Sequence, residues 1–393
     1  MTELLFREDP RATAFTARVE AVQGNRVRLD RTLFYAEAGG QSADAGDLRW
    51  PGGAARVTDV QKDAGEVWHT LAGPLPDIGA EVAGELDWRR RYRHMQRHSA
   101  EHLLAQAFLR VNPAFQVRSV SMRSPVCTLD LAGDPTPDDA RAAEALAMEV
   151  LARDLPIETF EVPDTALGAY PLRRPAQVSG VVRLVGVRDG EDWWELVACG
   201  GTHLSSTALA APVVVTGSER VRGLTRVSFM AGEEATEHLG ELQRQAAGMA
   251  QTLSVPVERL PERLDATLAE LAGLRQALDA AREGWAGALL VGAAPQAAPQ
   301  GLALRLLWLP LPELVTPVLK AASAYAATVT VALTEGGRCG VASGSPAGHA
   351  GNLLRDWLAA SGGRGGGKAE FAQGQTPDPE AFEQAARAWA DGR

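Results

Sequence analysis

The chain has 393 residues, of which 46% are hydrophobic, and carries a formal net charge of −10 at pH 7. This length favours two to four domains, and the apolar content lets each of them bury a core, so a largely disordered chain is excluded. Because no run approaches the roughly twenty apolar residues of a membrane helix, and charges interrupt the start MTELLFREDPRATAF where a signal peptide would be apolar, we predict a cytoplasmic protein with no membrane partner.

Residues 1–90 are predicted to form a small β-barrel domain. The segments ARVEAVQGNRVRLDRTLFY and ARVTDVQKDAGEVWHTL alternate apolar and polar residues around Gly24-Asn25 and Ala64-Gly65, which is the pattern of two β-hairpins. Repeated glycines elsewhere in this region suit the tight corners of a closed sheet. Between the hairpins lies FYAEAGGQSADAG (34–46), a glycine-rich stretch whose chemistry alone indicates a turn of the barrel.

Residues 91–232 change to a mixed pattern that predicts an α+β domain. The segment RHMQRHSAEHLLAQAFLR has helical periodicity and ends before Asn112-Pro113. A second helix is predicted in TPDDARAAEALAMEVLARD, with Thr136 as its N-cap and Pro137 at its first position. Six further segments read as strands: CTLDL, PIETFEV, VVRLVGV, WWELVA, PVVVTG and TRVSFM.

Residues 233–291 are predicted to be a helical, coiled-coil-like segment, divided by Pro256 and Pro261. Its leucines recur by threes and fours, at Leu264, Leu268, Leu271, Leu274 and Leu278. A Pro/Ala-rich linker (292–300) leads into residues 300–393, where strands and helices at 312–327 and 350–360 predict a C-terminal α/β domain. The expected fold class is therefore a multidomain α+β protein.

Two histidines on the first predicted helix, His98 and His102, are candidates for chemistry. Positions i and i+4 lie on one face of a helix, so the pair can bind one ion. With Glu101 between them, the segment also matches H-x-x-E-H, the zinc-peptidase signature in which the glutamate is the base. Taken alone, the pair is equally consistent with two surface histidines.

The segment ACGGTHLSS (198–206) favours a metal site. Cys199 and His203 form another close Cys/His pair, and the glycines between them let the backbone fold tightly around an ion. Three imidazoles and one thiolate are a donor set that suits Zn²⁺. Four protein ligands are typical of structural zinc, whereas catalytic zinc keeps a position open, and the pattern does not decide between them. Cys127 and Cys339 match no ligand position and are predicted to be buried thiols.

Basic residues gather around these motifs although the chain as a whole is acidic. A solvated face is the usual interpretation of one such cluster, but several clusters around one candidate site favour an anionic substrate. One group comprises Arg173, Arg174, Arg183 and Arg188. The densest group, in WRRRYRHMQR, comprises Arg89, Arg90, Arg91, Arg93 and Arg97.

The glycine-rich segment GGRGGGKA (362–369) satisfies G-x-x-x-x-G-K but has Ala369 where a P-loop requires Ser or Thr. The segment is predicted to be a loop after a helix, whereas a P-loop follows a strand, so no ATP is expected. A backbone-lined anion site for an RNA phosphate remains an alternative.

Together these motifs resemble the editing domain of alanyl-tRNA synthetase and its free-standing relatives, the AlaX proteins. His98-x-x-x-His102, followed about a hundred residues later by CGGTH, carries the resemblance. FYAEAGG is similar to the family's FYPEGGGQ entry motif, with Ala36 and Ala38 in place of its Pro and Gly and Ser42 in place of a common proline. GGRGGGKAEFAQG is similar to the C-terminal DHH-associated domain. Because no class II aminoacylation motifs precede the barrel, the chain resembles a long-form AlaX editor rather than a synthetase.

The resemblance implies zinc-assisted hydrolysis of the ester that joins a wrong amino acid, serine or glycine, to alanine tRNA. It implies Zn²⁺ as cofactor, mischarged alanine tRNA as partner and a homodimer formed through the C-terminal region. Its implied zinc ligands are His98, His102, Cys199 and His203. The implied catalytic residues, which would sense the serine hydroxyl, are Gln41, Ser42 and Thr202. The implied RNA contacts are the five arginines at 89–97 together with Arg364 and Lys368.

Two alternatives to editing remain. The first is a tRNA-binding protein in which zinc is only a structural staple. The second is a zinc peptidase with Glu101 as its base. Under the editing hypothesis Glu101 has no assigned role and is expected to be a solvated helix residue.

Overall fold

A computed structural model describes residues 2–176 and 178–392 of the chain. The chain divides into two units, residues 1–247 and 248–393, and the boundary falls within one helix. None of the helices in the described ranges is long and apolar enough to cross a membrane.

The first unit begins with the predicted β-barrel. Six strands close it in the order β2-β3-β7-β6-β5-β8, and a short parallel pair, β1 with β4, lies beside them. Alternating side chains of the strands fill the interior, among them Val27, Leu48 and Val57, each fully buried. Both predicted hairpins are present. The strands are β1 (Glu3–Leu4), β2 (Ala14–Gln23), β3 (Arg26–Leu29), β4 (Arg31–Thr32), β5 (Gly46–Trp50), β6 (Gly53–Asp63), β7 (Glu66–Ala72) and β8 (Glu81–Leu86).

The rest of the first unit is the predicted α+β arrangement. Two antiparallel sheets have the orders β14-β15-β10-β9 and β11-β12-β13, and the two helices pack with the larger sheet around Leu103, Phe108 and Phe229. The second helix has the capping box expected at Thr136, which Asp139 completes. The elements are α1 (Trp88–Val111), β9 (Val117–Ser121), β10 (Cys127–Leu131), α2 (Pro137–Ala152), β11 (Ile157–Pro163), β12 (Val181–Asp189), β13 (Asp192–Ala198), β14 (Val213–Val221), β15 (Leu224–Ala231) and α3 (Gly232–Leu253).

The second unit contains a long helix and a mixed six-stranded sheet of order β16-β17-β18-β19-β21-β20. The five leucines of the predicted stripe lie on the long helix, and all of them are exposed. Both Cys127, in the first unit, and Cys339, in this one, are buried free thiols as predicted. The elements are α4 (Leu260–Gly292), β16 (Gln296–Ala297), β17 (Ala303–Trp308), α5 (Val315–Ala322), β18 (Thr328–Leu333), β19 (Arg338–Ser343), α6 (Ala350–Ala360), β20 (Arg364–Gly367), β21 (Phe371–Gln375) and α7 (Pro379–Ala390).

Two local predictions in the second unit are wrong. The glycine-rich segment is not a loop throughout, because residues 364–367 form the edge strand β20. A side chain at Gly367 would lie 2.3 Å from a carbonyl oxygen of β21, so glycine permits this close pairing. The helix predicted over 312–327 is shorter, since Pro312 opens a 3₁₀ turn and Ala327 has a positive φ that cannot continue a helix.

Candidate metal centre

Helix α1 presents the two predicted histidine ligands. Asp87 caps the helix by accepting a hydrogen bond from the backbone N–H of Arg90. His98 and His102 follow one turn apart, and each side chain is almost completely buried. Their rings lie 5.1 Å apart, as expected for neighbours on one helical face.

The loop after β13 brings Cys199 and His203 to the same place. One donor atom from each of the four predicted ligands can be chosen so that all lie within 4.8 Å of one another. Cys199 Sγ is 3.4 Å from His98 Nε2 and 3.3 Å from His203 Nε2. Two motifs about a hundred residues apart in sequence therefore form one cluster.

The protonation states of the four groups suit a divalent cation. Burial lowers the pKa of His98 to about 3, and it lowers the pKa values of His102 and His203 well below the usual range, so the three imidazoles are neutral near pH 7. Burial raises the pKa of the Cys199 thiol to about 11. A cation at the centre of the cluster would favour the thiolate. The donor set therefore fits zinc.

Gln41 supports the cluster from the barrel side. Its Oε1 lies 2.8 Å from His98 Nδ1 and also accepts a hydrogen bond from the backbone N–H of Thr202, at 3.3 Å. Its Nε2 donates to Thr202 Oγ1 at 2.9 Å. Because the amide oxygen can only accept, His98 carries its proton on Nδ1, which leaves Nε2 free to bind a metal.

The three residues predicted to sense a substrate hydroxyl are all buried, and none of them lines the cavity beside the cluster. Gln41 and Thr202 lie behind His98, where they hold a candidate ligand in place. Ser42 is also buried, but its hydroxyl makes no hydrogen bond to any described residue. The geometry therefore favours a positioning role for Gln41 and Thr202.

The loop 199–203 is held by contacts that depend on Gly201. A Cβ at Gly201 would lie only 2.1 Å from His98 Cε1, whereas a Cβ at Gly200 would meet nothing within 4 Å. Arg183, which is buried, donates from Nη1 to the carbonyl oxygens of Cys199 and Gly201 at 3.0 and 2.9 Å. The backbone of the loop is therefore fixed on both sides.

Ser99 is a supporting residue that none of the sequence motifs indicates. Its hydroxyl oxygen accepts from the backbone N–H of Leu204 at 3.1 Å and lies 3.4 Å from His203 Nδ1. Its position between the two α1 histidines in sequence, directly after His98, is the signal that could have indicated it.

Glu101 is not the solvated residue that was expected. Its side chain is buried and lines the same cavity of about 210 Å³ as His98, His102 and Cys199. Glu101 Oε2 lies 3.6 Å from His102 Nε2, and burial raises the pKa of its carboxyl group. Arg173 Nη2 lies 4.0 Å from Glu101 Oε1. Because Glu101 follows His98 by three residues, the sequence already placed it on the helix face that carries the candidate ligands.

The arginines of α1 divide into two groups. Arg91 is fully buried, with Nε 3.0 Å from Asp44 Oδ2, and Arg97 forms a bidentate pair with Glu234 at 2.6 Å for both bonds. The expectation that these two contact RNA is therefore corrected, since neither presents its charge to solvent. The other three reach the surface to different degrees. Arg89 and Arg90 are exposed, and Arg93 is half-buried beside acidic residues at the start of α3.

Arg364 and Lys368 lie in the second unit, at the start of β20 and directly after it. Both side chains are exposed. Exposure is compatible with the RNA contact expected of them, which stays a prediction.

Comparisons with known proteins found the following similarities. A family model described as tRNA synthetases class II (A) matches residues 7–90, and the DHHA1 domain model matches residues 315–391. An alanine–tRNA ligase from Pyrobaculum calidifontis is 36% identical over 258 residues, covering 63% of this chain and 29% of the ligase. A second alanine–tRNA ligase, from Methanopyrus kandleri, is 36% identical over 273 residues, covering 66% of this chain and 29% of the ligase. The solved C-Ala domain of Aquifex aeolicus alanyl-tRNA synthetase matches 25% of this chain and 98% of that chain, at 18% identity and a TM-score of 0.22.

A barrel matched by a class II tRNA synthetase model, with a DHHA1 domain later in the chain, defines a protein related to aminoacyl-tRNA synthetases. Within that class, the chain is similar to alanine–tRNA ligases over about two thirds of its length and carries a C-terminal DHHA1 match, which is consistent with an AlaX-like protein. The resemblance inferred from the motifs is thereby confirmed. The chain spans about three tenths of the length of these curated ligases.

Proposed function

We propose that this chain is an aminoacyl-tRNA deacylase that hydrolyses the ester joining serine, and also glycine, to alanine tRNA. The observation that carries the proposal is the buried cluster of His98, His102, Cys199 and His203 beside a cavity, in a relative of alanine–tRNA ligases. An ester needs only polarisation of its carbonyl and an attacking water, which a metal centre in a cavity can provide.

The four clustered residues would hold Zn²⁺, which when bound supplies a Lewis acid for the ester carbonyl. Gln41 keeps the Nδ1 proton on His98 and so directs Nε2 inward. Arg183 holds the loop that carries Cys199. Leu4 and Phe6 form an apolar part of the cavity wall.

The proposed preference for serine over alanine rests on a hydrogen bond to the serine hydroxyl inside the cavity, whereas glycine, which also lacks the hydroxyl, would be admitted by its smaller size. A pocket that hydrogen-bonds a hydroxyl discriminates strongly against an analogue without it, because the buried polar groups of the pocket are then unpaired. Alanine differs from serine by that hydroxyl alone. The correctly charged tRNA would therefore be spared.

The decisive experiment incubates the zinc-loaded protein with alanine tRNA charged with serine, glycine or alanine. We expect serine to be released much faster than alanine, and we expect Cys199→Ala to abolish the release. If serine and alanine are released at equal rates, and Cys199→Ala changes only the thermal stability, zinc is a structural staple and the chain binds tRNA without acting on it.

The position of Glu101 in the cavity supports one alternative, a peptidase with the H-x-x-E-H arrangement. That alternative predicts zinc-dependent cleavage of unstructured peptides, lost in Glu101→Gln. Peptide cleavage by the wild-type protein combined with inert seryl-tRNA would replace the deacylase proposal.

We further propose that the chain forms a homodimer through its C-terminal region. The support is the exposed leucine stripe on α4, in which Leu268 and Leu274 are 55% and 61% exposed. Such a stripe is typical of a helix that pairs with another. Sedimentation of the wild type against a Leu268→Glu/Leu274→Glu variant tests it, with a shift from dimer to monomer expected.

A further inference from the structure

Three cationic side chains from separate segments converge on the cavity beside the metal cluster. Arg7 ends a 3₁₀ turn before the barrel, Lys62 lies on β6, and Arg174 lies between β11 and β12. All three line the cavity that His98 and Cys199 also line. We call these three residues the cationic rim.

The charges of the cationic rim are not held in buried ion pairs, unlike those of Arg91 and Arg97. Burial raises the pKa of the nearby Glu101 carboxyl group, and the Arg174 charge lies close enough to oppose this rise. Lys62 and Arg174 have exposed side chains, and neither forms an ion pair with any residue that the structure describes. Among the described residues Arg7 forms one ion pair, in which its Nη1 lies 3.6 Å from Glu161 Oε1 and both side chains are more than 40% exposed. An exposed pair of this kind contributes little to stability and can exchange for another anion.

The size of the cavity indicates which part of a substrate it holds. At about 210 Å³ it is smaller than the roughly 300–1,000 Å³ of pockets that enclose a drug-sized ligand. The amino acid and its ester therefore fit beside the metal cluster, while the nucleotide that bears the ester extends towards the opening. The nearest anionic group of that nucleotide is the phosphate on the 5′ side of the esterified ribose.

We propose that Arg7, Lys62 and Arg174 bind the phosphate immediately 5′ of the esterified ribose, so that the site favours nucleotide-linked amino acid esters over free ones. This inference rests on the proposed deacylase function. The guanidinium groups of Arg7 and Arg174 can each donate two hydrogen bonds to phosphate oxygens, and the Lys62 ammonium adds a point charge. The rim thus selects the kind of ester, while the interior of the cavity selects the amino acid.

The test compares two small esters, serine on the 3′ oxygen of adenosine and the same compound with a 5′-phosphate, as substrates of the zinc-loaded full chain. Hydrogen bonds to a charged group are worth about 10- to 100-fold in binding, so we expect the 5′-phosphate to raise kcat/KM by about that factor. In the Lys62→Ala/Arg174→Ala variant this ratio should fall towards one. Arg174→Lys should retain part of it.

Arg141→Ala is the matched control, because Arg141 is an exposed arginine on α2 that pairs with Asp138 and does not line the cavity. It should keep the wild-type ratio. With whole tRNA, each rim cation removed should also make the slope of log kcat/KM against log salt concentration shallower by about 0.7–0.9.

The outcomes separate the two proposals. If the wild-type protein hydrolyses neither ester and no seryl-tRNA, the deacylase function fails and the rim inference fails with it. If both esters are hydrolysed but the 5′-phosphate gives no advantage, or the advantage survives in the double variant, the rim inference alone is overturned.

Discussion

Replacing Gly201 with alanine should disable the metal centre without unfolding the protein. The new Cβ would lie 2.1 Å from His98 Cε1 and 2.4 Å from His98 Nδ1. Carbon atoms pack at about 3.5 Å or more, so the imidazole would have to move by more than an ångström. That movement would break the 2.8 Å hydrogen bond to Gln41 and carry Nε2 away from Cys199.

The expected loss is large because metal sites tolerate little displacement. Ligand distances vary by only about 0.2 Å in well-formed sites, and disturbing the groups that orient a ligand typically lowers metal affinity about 10- to 100-fold. A misplacement of about 1 Å can also cost about 100-fold in rate. We therefore expect Gly201→Ala to lose at least tenfold in zinc affinity and about 100-fold in seryl-tRNA hydrolysis.

Gly200→Ala is the control, since a Cβ there meets nothing within 4 Å. Zinc affinity would be measured by competition with a chromophoric chelator, hydrolysis by release of labelled serine, and folding by circular dichroism of the zinc-free proteins. Wild-type zinc affinity in Gly201→Ala would refute the geometry, as would an equal loss in both variants.

Three further predictions concern stability and protonation. Glu234→Ala should lower the free energy of urea unfolding by about 3–5 kcal/mol, because it leaves the Arg97 charge buried and unpaired. Glu233→Ala, at an exposed carboxylate, should lower it by less than about 1 kcal/mol, and similar losses in the two variants would contradict this. Burial lowers the pKa of His69 to about 4. The stability due to its neutral form is therefore complete above its unfolded pKa of about 6.5 and should decline by about 3 kcal/mol as the pH falls towards 4. The free energy of unfolding of His69→Gln should depend less steeply on pH over that range, and an unchanged dependence would exclude the assignment. Because burial raises the pKa of the Cys199 thiol to about 11, zinc binding at pH 7.5 should release about one proton, measured by calorimetry in buffers of different ionisation enthalpy; no release would mean that the thiol is not a ligand.

The meeting of the four candidate ligands could be predicted from the sequence because its signals are local. The four-residue spacing within His98–His102 and within Cys199–His203 reports which donors can share an ion, whatever the rest of the chain does. Most strands and helices were predicted for the same reason, since alternation and helical periodicity are properties of short segments. The capping box at Thr136 is another such local signal.

The supporting contacts could not be predicted, because they join residues far apart in the chain. Gln41 reaches His98 across 57 positions and Thr202 across 161. The local sequence around an arginine does not show whether its side chain is buried in an ion pair or faces solvent, because that depends on a partner elsewhere in the chain. For Arg97 that partner is Glu234, 137 positions away.

The pairing of Arg97 with Glu234 also sets a practical limit on how the chain can be divided. A fragment ending at residue 232, at the edge of the α+β pattern in the sequence, would keep every candidate zinc ligand. It would nevertheless bury an unpaired guanidinium one residue before His98 in the chain, and it would lose the hydrogen bond that the Glu233 backbone N–H donates to Gln96 Oε1. The shortest fragment that keeps the contacts of α1 intact must therefore include the first turn of α3 and reach at least Glu234.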